Sequence, residues 1–371
     1  MIPLIDLKKQ YKSIHKEIDE AIMDVIHNCE FVQGKRVEQF EKDFAKINKA
    51  KHCVACGSGT EALHLALLSL SIGFSDKVIV PTNTFIATAE AVIQTDATPV
   101  FVDIDEFYNL NPEGLENIIE TETPSAIIVV HLYGQPAQID KIQKICKKYN
   151  LLLIEDCAQA HLSEFNEQKV GTFGDVGCFS FYPGKNLGAY GEAGALITDN
   201  VDIANKARFL RNHGSMKRYK HEISGFNYRM DEIQAAVLNV KLKYLDEWNN
   251  KRIQVAKWYN EELKDLQEIE LPKVQDNVKH TYHLYVIKAS DKKVRNELAE
   301  FLNNKGISTA IHYPIPLHLS HAYRELDFVG TEDLSKSENA CNRILSLPMY
   351  PELEKEEVKF VCDKIKEYYK R

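Results

Sequence analysis

Apolar residues recur at three- and four-residue steps through the N-terminal part of the chain. Ile14, Ile18, Ile22 and Ile26 form one series and Phe40, Phe44 and Ile47 a second, with Gly34 between, so helices are predicted at 8–28 and 36–48. From position 52 short continuous apolar runs alternate with helical periods. They predict strands at 52–56, 77–80, 99–103, 125–131 and 151–154, and helices at 60–71, 84–95, 112–120 and 137–149. Strands that are apolar on both faces need cover on both, which points to an α/β fold with a mainly parallel sheet.

Strands at 176–182 and 193–198 bring the expected sheet to seven, and a helix near 202–211 follows. A long helical run over 231–264, with Ile233, Val237, Val240, Tyr244 and Trp248 on one stripe, is of a length that bridges domains. Beyond it the pattern is strand 283–289, helix 293–304 ended by Gly306, strand 307–312 and helices near 333–343 and 354–369, a smaller α+β unit. The predicted division is a large α/β domain over 1–245 and a small C-terminal domain over 246–371.

Composition narrows the picture. With 371 residues, 44% hydrophobic content and 12 prolines, the chain can bury a large core. A net charge of −8 without any basic block argues against a nucleic-acid partner, so an anionic ligand must meet a local cluster. No segment approaches the roughly 20 apolar residues that span a bilayer, and the N-terminus lacks the apolar run of a signal peptide, so a cytoplasmic location away from membranes is expected. The eight cysteines lie mainly in apolar segments, as buried hydrophobes do. Only Cys53-Val-Ala-Cys56 resembles a metal motif, and no second pair stands at zinc spacing, so no metal is expected.

The candidate chemistry centres on Lys185. Pro183, Gly184, Gly188 and Gly191 bend the chain between two apolar strands and hold this lysine at a strand end. It is either a solvated hairpin lysine or one whose amine, freed by burial, forms an imine with an aldehyde cofactor. Strand 151–154 delivers Glu155 and Asp156 to its carboxyl end, where open α/β sheets bind ligands. Asp156 either caps the next segment or pairs with a protonated pyridine nitrogen.

Gly57-Ser58-Gly59-Thr60-Glu61-Ala62 joins a strand to a helix, with amides and hydroxyls suited to one phosphate. It also matches a dinucleotide fingerprint, but the next strand ends in Pro81-Thr82 instead of an acid. Phe85 opens a helix after a strand, either as a core residue or as a ring lying on a cofactor. The stretch from Arg211 to His221 is the densest basic segment and reads as a solvated loop or a diphosphate site.

Six stretches in order resemble one family nearly end to end: Ser58-Gly-Thr-Glu-Ala-Leu, Pro81-Thr-Asn-Thr-Phe-Ile-Ala-Thr, Ile154-Glu-Asp-Cys-Ala-Gln-Ala-His, Ser180-Phe-Tyr-Pro-Gly-Lys-Asn-Leu-Gly, Gly225-Phe-Asn-Tyr-Arg-Met-Asp-Glu-Ile-Gln-Ala-Ala and His312-Tyr-Pro-Ile-Pro-Leu-His. Together they are similar to the DegT/DnrJ/EryC1/StrS sugar aminotransferases, pyridoxal 5'-phosphate enzymes of the aspartate aminotransferase fold. The resemblance makes Lys185 the imine-forming lysine and Asp156 the pyridinium partner, with Gln159 beside the cofactor's phenolic oxygen. It gives the phosphate to Gly59, Thr60 and Ser180 and the ring face to Phe85. Asn227 matches a residue that reaches the phosphate from the neighbouring subunit, which implies a homodimer with shared sites.

The sugar nucleotide is expected to meet Tyr182, His312 and Tyr313. Lys217, Arg218, Tyr219 and His221 would form a loop beside the partner's pocket. Gly184 stands where Thr or Ser is common and Cys157 where Ala is common, and neither departure removes a catalytic group. Related dehydratases carry histidine in place of the lysine, so Lys185 implies amino transfer from L-glutamate to a nucleotide-linked keto-sugar. The opening Ile2-Pro-Leu-Ile-Asp-Leu and the loop Arg218-Tyr-Lys-His221 are similar to the branch acting at C3 of dTDP-linked 3-keto-6-deoxyhexoses. A UDP-linked 3-keto or 4-keto sugar, or a catalytically idle cofactor-binding regulator, are the alternatives.

Overall fold

A computed structural model of the protein describes residues 1–215, 217, 219–323 and 333–370. Helices α1 (Leu7–Asn28) and α2 (Lys35–Asn48) come first. The α/β region follows as β1 (His52–Cys56), α3 (Gly59–Ser69), β2 (Lys77–Pro81), α4 (Ala87–Ile93), β3 (Thr98–Val102), α5 (Leu115–Glu122), β4 (Ala126–Val130), α6 (Ile139–Tyr149) and β5 (Leu152–Asp156). Two short strands, β6 (Glu164–Phe165) and β7 (Gln168–Lys169), precede β8 (Val176–Ser180), β9 (Gly194–Thr198) and α7 (Val201–Arg211). Then come α8 (Glu232–Leu242), α9 (Leu245–Leu263), β10 (Val278–Lys279), β11 (Tyr285–Lys288), α10 (Lys292–Asn304), α11 (Ser335–Arg343), β12 (Ile344–Leu347) and α12 (Lys355–Tyr369).

The main sheet has seven strands in the order β1-β9-β8-β5-β4-β2-β3. Only β9 runs against its neighbours β1 and β8, and the other pairs are parallel. Successive residues of each strand feed opposite layers. Val78, Val80, Ile128, Ile154 and Val176 pack against α3, α4 and α7, while Ile79, Val100, Ile127, Val129 and Leu153 pack against α5 and α6. Each such fully buried aliphatic side chain contributes about 1.5–3 kcal/mol. The α/β class with a mainly parallel sheet of seven is therefore the observed architecture.

Helix α3 is largely buried, with Ala62, Leu63, Leu65, Ala66 and Leu67 in the core, so its N-terminus is fixed against the sheet. Ser58 caps it, its Oγ accepting from Glu61 N at 3.2 Å. On the opposite side of the sheet, Phe40 and Phe44 of α2 pack edge-on against Phe181. These contacts anchor the chain just before the Lys185 loop.

Two expectations need correcting. The helical run over 231–264 is two helices, because Lys243 and Tyr244 make tight turns back to Val240 and Lys241. Its apolar period crosses that break without a Gly or Pro, since Tyr244 still stacks on Trp248 at 5.7 Å. The segment 307–312 is not a strand. It makes single bridges, Ile307 to Ile2 and Ala310 to Ser346, before leaving for the interior cavity. The strand partner of β11 is β12, through Tyr285↔Leu347 and Ile287↔Leu345.

A second core, which includes Tyr259, Tyr285, Leu345, Leu347, Val358 and Ile365, gathers the C-terminal elements. The chain start is tied to it: Ile2 N donates to Gly306 O at 2.8 Å, and Met349 N donates to Leu4 O at 3.0 Å. That strap brings Leu4 and Ile5 to the cavity wall. All eight cysteines are free and seven are buried, as their apolar settings suggest. Among the described residues no helix is long and apolar enough to cross a membrane.

Candidate active site

The carboxyl ends of β4, β5 and β8, the N-terminus of α3 and the segment 312–313 enclose a cavity of about 630 Å³. Lys185 and Asp156 both line it. The Lys185 loop is a tight backbone structure, with Lys185 N donating to Tyr182 O at 2.8 Å and Ala189 N to Phe181 O at 2.7 Å. Gly188 is required there, because a Cβ would stand 2.3 Å from Pro183 O. Burial lowers the Lys185 ammonium to about 8, and the nearby Asp156 carboxylate only partly restores it. A substantial fraction of the amine is thus neutral and nucleophilic at mildly alkaline pH. A solvated hairpin lysine does not fit these surroundings.

Asp156 combines both roles left open for it. Its Oδ1 accepts from Ala158 N at 3.1 Å, as a capping acid does, and its Oδ2 accepts from Thr88 Oγ1 at 3.0 Å. Burial pushes its carboxyl above the ordinary range, and the hydrogen bonds from Ala158 N and Thr88 Oγ1, together with the charge of Lys185, pull it only part of the way back. A buried carboxylate beside an aromatic wall suits a cationic ring nitrogen. Glu155, its neighbour in sequence, turns the other way. It accepts from Gly171 N, Phe173 N and Gly174 N at 2.7, 2.7 and 2.8 Å and from His131 Nε2 at 3.0 Å.

His131, Glu155 and Cys157 form the one cluster of potential metal ligands among the described residues. The lone pairs of His131 and Glu155 are already used. His131 Nδ1 accepts from Ala137 N, and Glu155 holds four donors, so the group is structural.

Across the cavity, Gly59 and Thr60 open α3, where the first N–H groups have no intrahelical acceptor. Ser180 closes on them from the end of β8. A Cβ on Gly59 would lie 2.6 Å from Ser180 Cβ, so only glycine permits this approach. Amides, two hydroxyls and a helix N-terminus make a cradle for a phosphate group, opposite the Asp156 carboxylate. The residues present therefore fit a phosphorylated pyridine aldehyde.

Phe85 lines the cavity, 54% exposed, with its ring 5.8 Å from that of Tyr313, so it is a wall and not a core residue. Gln159 Nε2 donates to Tyr313 OH at 3.1 Å while its Oε1 accepts from Tyr133 N at 2.8 Å, which fixes the amide's orientation. Tyr182 and His312 also line the space. His312 Nδ1 lies 2.8 Å from Ser346 Oγ, and burial lowers the ring to about 4, so it is neutral.

Asn227, Lys217, Tyr219 and His221 are not brought to this cavity. All four are exposed on the outer face, where Asn227 bridges to Asn212 and His221 Nδ1 meets His213 O at 2.7 Å. Arg218 lies outside the described residues. Four residues at the site went unread in the sequence: Thr88, His283, Leu4 and Ile5. Thr88 lies on the first turn of α4, which starts at Ala87 and not at 84 as expected, so Phe85 precedes the helix and is tied to it by Thr88 N donating to Phe85 O at 3.2 Å. His283 and Leu4-Ile5 arrive from distant segments and leave no local signature.

The comparisons agree with this architecture. Residues 12–366 match the model of the DegT/DnrJ/EryC1/StrS aminotransferase family. The chain is similar to the dTDP-3-amino-3,6-dideoxy-alpha-D-galactopyranose transaminase of Aneurinibacillus thermoaerophilus, 42% identical over 369 residues and 99% of each chain. It is as similar to the UDP-N-acetyl-3-dehydro-alpha-D-glucosamine 3-aminotransferase of Acidithiobacillus ferrooxidans, 42% identical over 358 residues, 96% of this chain and 95% of that one. A crystal structure of DesV from S. venezuelae, in complex with a ketimine intermediate, superposes with a TM-score of 0.95 at 40% identity, covering 100% of this chain and 99% of its own. Matched over nearly its whole length, the chain belongs to the DegT/DnrJ/EryC1/StrS aminotransferase family.

Proposed function

We propose that the protein moves the amino group of L-glutamate to a nucleotide-linked keto-sugar, a dTDP-linked 3-keto-6-deoxyhexose, giving a dTDP-3-amino-3,6-dideoxyhexose for glycan synthesis such as an O-antigen. The observation that carries this reading is the meeting of a low-pKa lysine amine and a buried carboxylate in one cavity, across from a phosphate cradle. The family is pyridoxal-phosphate dependent, and that cofactor supplies the electron sink for the chemistry when bound. In this reading the cofactor lies between a large unit, residues 1–245, and a smaller one, 246–371.

Gly59, Thr60 and Ser180 would hold the phosphate, Phe85 would cover the ring, and Asp156 would favour a proton on the ring nitrogen. Gln159, held by Tyr133 N, stays fixed against the cofactor's phenolic oxygen. Lys185 Nζ would take the proton from the amine-bearing carbon of glutamate and pass it to the cofactor in the first half-reaction, and would move a proton the opposite way, onto the former carbonyl carbon of the sugar, in the second. His312 and Tyr313, with Tyr182, contact the sugar. Leu4 and Ile5 help to keep water out.

Charge supports a shared site. Among the described residues the cavity wall carries no arginine and no lysine besides Lys185, yet a nucleoside diphosphate brings about two negative charges. Asn227, Lys217, Tyr219 and His221, exposed on their own chain, together with Arg218 of the same stretch of sequence, supply what is missing when a second copy docks. The reading is thus a homodimer with shared active sites.

The dTDP assignment follows the A. thermoaerophilus relative, and the equal similarity to the A. ferrooxidans relative keeps a UDP-linked sugar as the second reading. Turnover with glutamate and a panel of dTDP- and UDP-linked keto-sugars tests both. Efficient use of the dTDP-linked 3-ketone is expected. Preference for a UDP-linked sugar would replace the first reading by the second, and no turnover with any ketone would favour an idle regulator.

A further inference from the structure

His283 lines the cavity, and its tautomer is fixed by the residue that follows Lys185 in the chain. Asn186 is 2% exposed, and its Nδ2 donates to Thr281 O at 3.1 Å and to Asn249 Oδ1 at 2.9 Å. A backbone carbonyl can only accept, so the amide cannot be turned the other way, and Oδ1 is the atom 3.2 Å from His283 Nδ1. That nitrogen must carry the hydrogen. Nε2 is left with a lone pair and no donor role. The backbone is held as well, since Arg252 Nη1 donates to His283 O at 3.3 Å, and the Asn249 amide that receives Asn186 is itself oriented by donating through Nδ2 to His161 O at 2.9 Å.

The ring stays neutral. Burial, then the neighbouring Lys185, Arg252, His312 and His161, hold it well below the usual imidazole range. The cavity therefore contains, close to Lys185, an uncharged acceptor that cannot become a donor at working pH. On a hexose ring the carbons beside a ketone bear hydroxyls unless they are deoxygenated. Because the ketone carbon must come within reach of Lys185 Nζ, an acceptor beside that lysine meets one of those flanking hydroxyls.

We propose that His283 Nε2, locked by Asn186, accepts a hydrogen bond from a hydroxyl adjacent to the reacting carbonyl and so selects keto-sugars that retain it. This rests on the amino-transfer reading above and adds a specificity residue to it. A site that expects a hydroxyl discriminates against the analogue without it, because its acceptor is left unpaired.

The test compares kcat/KM for two ketones on the same nucleotide, one with both flanking hydroxyls and one deoxygenated at a flanking carbon. A glutamine amide reproduces the position of imidazole Nε2, and an asparagine amide that of Nδ1. In His283→Asn the preference for the hydroxylated ketone falls by about tenfold or more, whereas His283→Gln keeps the preference within about threefold of wild type. The reverse pattern, or an equal change in both variants, overturns the proposal. A second measurement needs no variant: a crystal structure of wild-type protein with a nucleotide-linked 3-amino sugar. A sugar hydroxyl within hydrogen-bond distance of Nε2 is expected, and Nε2 facing only carbon overturns the proposal. Wild-type protein that aminates neither ketone would instead remove the underlying functional reading, and this inference with it.

Discussion

Thr88 Oγ1 donates to Asp156 Oδ2 at 3.0 Å, with both side chains buried at the edge of the cavity. The bond favours the ionised carboxylate against the burial that opposes it. Removing it in Thr88→Val leaves Ala158 N as the remaining hydrogen-bond donor to Asp156 among the described residues. The carboxyl then moves further up and holds a cationic ring nitrogen less well. The glutamate half-reaction, followed by cofactor absorbance, is expected to slow by roughly tenfold, the effect of one hydrogen bond to a charged group. An unchanged rate would show that Thr88 only fills space.

Gly59→Ala tests the phosphate cradle. The new Cβ would lie 2.6 Å from Ser180 Cβ, and both atoms belong to short side chains on fixed elements, so the end of β8 and the start of α3 must separate. Overpacking of this kind costs about 1–3 kcal/mol. Cofactor affinity, measured by titrating the apoprotein, is expected to weaken by at least about tenfold. Wild-type affinity in this variant would move the phosphate site elsewhere.

Lys241 provides a pH test of stability. It is fully buried on α8, donates to Gly188 O at 2.7 Å and lies 4.3 Å from the ring centroid of Tyr190. Burial lowers it to about 7 from an ordinary 10.5, and Glu352 opposes that shift only in part. Between those values the unfolded chain binds the proton that the folded chain has released, so this residue makes stability rise with pH. The charged form is penalised below pH 7. Chemical denaturation of wild type and Lys241→Met is expected to give a difference that moves in favour of wild type, by a few kcal/mol, from pH 7 to 10. A constant difference would mean that the ammonium is well solvated or paired.

Subunit exchange tests the shared site. Lys185→Ala and Asn227→Ala homodimers are each expected to lose most activity. In a mixed dimer, Lys185 of one site and Asn227 of the other come from the same chain, so both defects fall in one site and the second is intact. Activity should rise on mixing towards about a quarter of wild type per total site, as random exchange makes half the dimers mixed. No recovery after exchange has been verified by mass would place Asn227 outside the site.

Much of this arrangement was legible in the chain because the informative residues are adjacent. The Gly59-Thr60 turn, the Asp156 strand end and the Lys185 loop each carry their chemistry within a few residues of the glycine or strand that positions it. The break at Lys243-Tyr244 was not legible, since the apolar stripe continues through it and only the change of packing partner, from α1 and α2 to α12, separates the helices. His283 and Leu4-Ile5 were missed for a related reason: they reach the cavity by tertiary folding from far along the chain. Asn227 and the basic loop are the opposite case. The sequence singled them out, but one chain leaves them on its surface.

The central claim is that Lys185 is the amine that reacts with the cofactor's aldehyde. Reducing the cofactor-loaded protein with borohydride and mapping the modified peptide tests it most directly. The predicted result is a visible-region absorbance band that disappears on reduction, with the adduct on Lys185 alone, and a rate of cofactor capture by apoprotein that rises with pH through about 8. Lys241 is the other lysine with a lowered pKa among the described residues, and it is fully buried and does not line the cavity. An adduct on Lys241, or on any lysine other than Lys185, would contradict the account.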